Sequence, residues 1–167
     1  MRTTGTAPAI GLAVGIALAA GSGAAVALPP VQEQTLGNGL RVFIAESREV
    51  PLVSIGLLVP AGSALDGAGA EGIASLTGRL LMKGAGGLTA EQIAETIEEV
   101  GGRLSVETGR DFTSVEGQFL AKDLERALDI LGRIVLQPSF APEEIAREQA
   151  LIAAEIAGEK EDPRRLA

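Results

Sequence analysis

The residue types that most often carry chemistry are missing from this chain. It contains neither histidine nor cysteine. That removes imidazole bases and thiolate metal sites, and it leaves no disulfide framework to report on the redox compartment. The segment Gly72 to Gly84 reads Gly-Ile-Ala-Ser-Leu-Thr-Gly-Arg-Leu-Leu-Met-Lys-Gly. On a helix, Ser75 and Arg79 stand four residues apart and share one face. Ser75 as a nucleophile would need an activating base, and no His or nearby Lys stands at helical spacing to serve. Arg79 has two readings, a substrate-binding cation or an arginine that is paired or on the surface, and the second is favoured. Glu148 and Glu155 are seven residues apart, so both fall on one face of a later helix. The glycines between Pro60 and Gly69 do not make a phosphate loop, because no Gly-Lys-Ser/Thr follows them.

Composition narrows the function classes. The chain has 167 residues, which bounds it to one domain at most. Its 46% apolar content is enough for a packed core. Aromatics make up 2%, so there is no stacking platform for bases. The formal net charge of −8 argues against nucleic acid and anionic membrane surfaces, where a basic stripe is required.

The N-terminus reads as a leader. Arg2 gives a positive start, Ala7 to Ala20 is an apolar run, and Ala25-Val26-Ala27 matches a small-residue cleavage site. Residues 1–27 are expected to be a secretory signal peptide, with a mature domain over 28–167. The alternative is an uncleaved anchor, since residues 7–28 are nearly long enough to cross a hydrocarbon core of about 30 Å. The run is rich in Gly and Ala and only weakly hydrophobic, so no stable membrane anchor is expected. The expected location is periplasmic or extracellular.

The elements that must position these residues follow from periodicity and breakers. Asn38-Gly39 is a turn. Residues 40–46 and 52–59 read as strands, the second largely buried, with Pro51 between them. A helix over about 70–83 places Ile73, Leu76 and Leu80 on one stripe. Thr89 opens a second helix, with Gln92 completing a capping box; Ile93, Ile97 and Val100 form its stripe, and Gly101-Gly102 caps its end. Residues 103–108 and 113–120 alternate as a pair of strands about Gly109-Arg110-Asp111. Residues 123–136 form a helix with Leu124, Ala127, Leu128, Leu131 and Val135 on one side. Pro142, Glu143 and Glu144 suit the first turn of a last helix, which Asp162-Pro163 breaks. The order β β α α β β α α predicts an α+β fold: a mostly antiparallel sheet with helices on one face.

Several of these segments together resemble the N-terminal domain of the insulinase/pitrilysin metallopeptidases. They are Leu36-Gly-Asn-Gly-Leu-Arg-Val42, Pro51 to Ser63, Gly72-Ile-Ala, Leu81-Met-Lys-Gly84, Leu136-Gln-Pro-Ser-Phe140, and Arg147-Glu-Gln-x-x-x-x-x-Glu155. No one piece is decisive, but their order and spacing are specific, and they cover nearly the whole expected mature chain. By this resemblance, family domains continue with further strands and helices, so the segment reads as an incomplete family domain.

The resemblance also implies where chemistry should sit. The family carries His-x-x-Glu-His on the first helix; here Ser75, Gly78 and Arg79 stand in place of the first His, the catalytic Glu and the second His. Ser is a poor zinc ligand, Arg cannot deprotonate, and Gly offers no base. Glu155 matches the family's third ligand and Glu148 its neighbouring second acid. With Arg79 near, Glu155 is placed to make a charge pair instead of a metal bond; the alternative is two solvated glutamates. No zinc or other cofactor is expected. By resemblance to paired subunits in which one member lacks the motif, the expected function is a non-catalytic, exported peptidase-like domain. It would assist a zinc-bearing homologue in peptide or protein degradation, with peptide as a possible ligand. The alternatives are a stand-alone peptide-binding module, an active zinc peptidase, and a non-functional remnant.

Overall fold

A computed structural model describes residues 29–161, with side chains through residue 158. The expected cleavage site after Ala27 and the Asp162-Pro163 break lie outside the described residues. The described residues fall into two compact units that divide between Ser47 and Arg48.

Within the first unit, strands β1 (Val31–Thr35) and β2 (Arg41–Ala45) pair antiparallel around the Asn38-Gly39 turn. Leu40 N–H donates to Asn38 Oδ1 at 3.1 Å, and Gly39 N–H to Leu36 O at 2.9 Å. Strand β1 was not anticipated. Its sequence, Val-Gln-Glu-Gln-Thr, has no apolar alternation, and all five residues are exposed.

The second unit holds the sheet expected from the sequence. Strands β3 (Leu52–Val59), β6 (Arg103–Thr108) and β7 (Thr113–Leu120) run antiparallel in the order β3-β7-β6. Ile55 faces Gly117 and Leu57 faces Val115 on one side of β7; Leu104 and Val106 face the same two residues on the other. Strand β3 is not the largely buried strand the sequence predicts. It alternates half-buried and exposed positions, with Leu58 63% exposed, because successive side chains point to opposite faces and the described helices cover only one of them.

Helices α1 (Ile73–Leu80), α2 (Ala90–Glu99) and α3 (Leu124–Leu136) pack on the sheet face that carries Val115 and Phe119. The core joins Ile93, Ile97 and Val100 to Ala127, Ile130, Ile134 and Phe119. The α2 stripe is the expected one, and Thr89 and Gln92 form the reciprocal capping box. The α3 stripe differs: Ala127, Ile130 and Ile134 are buried and Leu128 is exposed. In α1, Ile73 is exposed and the buried pair is Gly78 and Leu80. Both differences have one cause: apolar residues are dense enough on these helices that two neighbouring stripes compete, and the sheet selects one.

The expected order of elements is kept, with β1 added before it and a hairpin inserted between α1 and α2. Gly84–Ala85 (β4) and Leu88–Thr89 (β5) form a small hairpin. Its turn residues Gly86 and Gly87 have φ of 58° and 83°, a left-handed pair that glycine adopts without steric cost. The hairpin ties to the segment before the last helix through Gly86 N–H to Gln137 O and Ser139 N–H to Gly84 O, both 2.9 Å. That helix, α4, spans Pro142–Glu161. No described helix is long and apolar enough to cross a membrane.

Candidate functional site

Helix α1 lies between β6 and α4, and that position brings the singled-out residues together. Its start is fixed by Asp66, whose carboxylate accepts from Gly72 N–H at 2.7 Å and Ala74 N–H at 3.1 Å. These are donors that a helix start otherwise leaves unpaired. On the β6 side, Ser75, Gly78, Arg79, Val106, Glu107 and Thr108 line a cleft of about 360 Å³. Gly78 faces Thr108, whose hydroxyl lies 3.2 Å from Thr113 Oγ1; Thr113 in turn donates to Ala61 O at 2.8 Å.

On the α4 side, Arg79 grips Glu155 with both ends of its guanidinium, Nη1 to Oε1 at 3.0 Å and Nη2 to Oε2 at 2.6 Å. A planar donor fork matched to a carboxylate is the strongest form of such a pair. The hydrogen bonds from Arg79 hold the Glu155 carboxyl below the usual carboxylate range. The same bonds push the Arg79 guanidinium further up, so it stays charged. Arg79 Nη1 also stands 3.9 Å from Glu148 Oε2. Glu148 is 3% exposed, and its other oxygen meets Lys83 Nζ at 2.9 Å. Lys83 lies in the turn that closes α1 and was not among the residues expected at the site. Four-residue spacing from 75 through 79 to 83 hints at it, but α1 ends at Leu80 and the turn, not the helix, brings Lys83 to Glu148.

The arrangement has two cations and two carboxylates. Ser75 Oγ makes no hydrogen bond to a basic side chain among the described residues, so nothing there activates it as a nucleophile. The residues present do not fit a zinc ion. Both Glu155 oxygens are occupied by Arg79, Lys83 takes Glu148, and Arg79 carries a fixed positive charge where a neutral donor would be needed. Among the described residues no three His, Cys, Asp or Glu side chains converge.

Comparison with known proteins gives this geometry its context. Residues 41–166 match the family model "Insulinase (Peptidase family M16)". An uncharacterized zinc protease of Rickettsia felis is 36% identical over 128 residues, which is 77% of this chain and 31% of that protein. A protein of Arabidopsis thaliana described as a "probable mitochondrial-processing peptidase subunit beta" is 30% identical over 77% of this chain and 24% of its own length. The crystal structure of a peptidase M16 inactive domain from Pseudomonas fluorescens superimposes with a TM-score of 0.78 at 29% identity, over 83% of this chain and 34% of that one. The chain thus spans about a third or less of the length of these proteins. It belongs to the insulinase family, peptidase family M16.

Proposed function

We propose that this chain is a non-catalytic, exported domain of a family M16 protein, and that it assembles with a zinc-bearing homologue in the degradation or processing of peptides or proteins. One observation carries the reading: Arg79 holds Glu155 by two hydrogen bonds, and these are the positions that the sequence resemblance aligns with the family's metal ligands. The helix keeps its seat while Ser75, Gly78 and Arg79 supply neither ligand nor base. Two likenesses support it. The Pseudomonas fluorescens structure is of an inactive M16 domain, and the Arabidopsis relative bears the name of a probable subunit of a mitochondrial-processing peptidase. On this reading the chain binds no zinc of its own, and export proceeds by cleavage between Ala27 and Leu28.

Co-expression with an M16 homologue carrying His-x-x-Glu-His tests the assembly, followed by size-exclusion chromatography, elemental analysis and a peptidase assay. The two chains are expected to elute together, with this chain alone free of zinc and inactive. One tightly held zinc per chain would refute the reading. So would separate elution with the partner's activity unchanged. N-terminal sequencing of protein from the producing cell should begin at Leu28.

A stand-alone peptide binder is the second reading. Among the described residues β6 pairs only with β7, so its other edge offers backbone groups to an extended peptide beside α1. Peptide binding by the isolated chain, with no association to the homologue, would select it.

A further inference from the structure

Helix α4 is held in an unusual way. A helix normally docks through an apolar stripe, which supplies most of its stability in a folded protein. Helix α4 has 20 residues, yet the one described side chain it buries is the charged Glu148. Leu151 and Ile156 are about half exposed, at 48% and 50%. Ala146, Ala150, Ala153 and Ala157, on the side opposite Glu148, are exposed as well. Its main packing neighbour is α1.

Two apolar residues flank Glu148 on its own face, Ile145 and Ile152, and both are only partly buried; Ile152 lines a cavity with Ile73 and Leu76 of α1. The fully buried contact of α4 is therefore charged. Glu148 and Glu155 lie two turns apart on α4; Arg79 lies in the last turn of α1 and Lys83 in the turn that follows it. Lys83 bonds Glu148 at 2.9 Å, Arg79 approaches the same carboxylate at 3.9 Å, and Arg79 closes the set on Glu155 at 2.6 Å. We infer that these four side chains form a clamp in which two cations hold α4 against α1, adding to a thin apolar contact and standing in place of a bridging metal. The inference rests on the non-catalytic reading of the site and adds to it a positive role for the residues that replaced the metal machinery.

The energetics turn on Glu148. A buried carboxylate is tolerable only while its partner is present, and removing the partner leaves an uncompensated buried charge. Without Lys83, Glu148 regains water most readily if α4 swings away from α1. The clamp therefore makes α4 a unit that opens on its own before the α2, α3 and sheet core does.

Hydrogen exchange on the full-length chain tests this. Lys83→Met should speed exchange at the α4 amides by about tenfold or more, while α2 and α3 amides are unchanged. Lys83→Met combined with Glu148→Leu should return α4 exchange close to that of the native chain, because an apolar pair of similar volume replaces a buried ion pair at little cost. If Lys83→Met does not fold, Arg79→Met gives the same comparison at a half-exposed position, with α4 exchange about threefold faster. Unchanged α4 exchange in the single variants overturns the clamp, as does a double variant no slower than Lys83→Met. Zinc content and co-elution play no part in this readout, so a failed clamp leaves the assembly reading standing and a failed assembly is seen separately.

Discussion

Gly78 on α1 approaches Thr108 on β6 so closely that a β-carbon at position 78 would overlap Thr108 Oγ1 and touch Val106 Cγ1 at 3.7 Å. Thr108 is not free to yield, because its hydroxyl is bonded to Thr113, which is bonded to Ala61 O. Helix propensity and packing therefore make opposite predictions. In a helix interior Gly→Ala ordinarily stabilises by about 0.5–1 kcal/mol. Here the overlap should win, and Gly78→Ala should destabilise by about 1–3 kcal/mol, the usual range for overpacking. Urea denaturation decides the sign from the midpoint. The same contact makes a glutamate at 78 harder to introduce than histidines at 75 and 79. Ser75→His with Arg79→His should fold better than the triple variant that adds Gly78→Glu.

How far the sequence reaches can be judged from particular residues. The limits of β6 and β7 are legible because their alternating residues are bounded by Gly102 and by the Gly109-Arg110-Asp111 turn, and those of β3 because an apolar run lies between Pro51 and Pro60. The α2 start is legible because Thr89 and Gln92 can satisfy each other's backbone groups only at that spacing. The M16 membership and the absence of His at 75 and 79 are legible for the same reason, since both are statements about residue type and order. The choice between Leu128 and Ile130 on α3 is not, because both are apolar and only the position of the sheet distinguishes them. Lys83 is missed because its meeting with Glu148 depends on the turn that closes α1. Strand β1 is missed because an exposed strand carries no alternation.

The capping box offers a calibration of local energetics. Thr89 Oγ1 accepts from Gln92 N–H at 3.3 Å, and Gln92 Oε1 accepts from Thr89 N–H at 3.0 Å. Thr89→Ala should cost about 1 kcal/mol, since it leaves a helix-end donor to water. Gln92→Ala should cost less, because the hydroxyl cap survives. The difference between the two in chemical denaturation checks the assignment.

Phe119 is fully buried, and its ring lies against Gly102 and Gly117 so tightly that a β-carbon at either would enter the ring's space. Gly102→Ala and Gly117→Ala should each destabilise by about 1–3 kcal/mol. The cause can be isolated by a double-mutant cycle. If the ring is what the methyl meets, Phe119→Leu should cost less in the Gly117→Ala background than in the native one. Strictly additive losses would mean that the glycine serves the backbone and not the ring.

The Arg79–Glu155 pair should leave a signature in acid. Glu155 has its pKa lowered, first by the Arg79 hydrogen bonds. A carboxylate whose folded pKa is depressed adds stability that is fully present above its unfolded pKa and is lost as pH falls through the folded one. The stability gap between the native chain and Glu155→Gln should thus be constant from neutral pH down to the ordinary carboxylate range, then close at lower pH. Glu71 and Glu91 also have lowered pKa values, each from backbone N–H groups first, so the native chain's acid transition is not due to Glu155 alone. Subtracting the Glu155→Gln curve removes their share. Arg79 remains charged throughout this range, so the closing of the gap reports Glu155. Both partners are substantially exposed, with side chains 39% and 55% accessible, so the gap should also shrink in 1 M salt, where the screening length falls to about 3 Å. A gap that persists unchanged through the acid range and in salt would mean that Glu155 contributes through packing rather than charge.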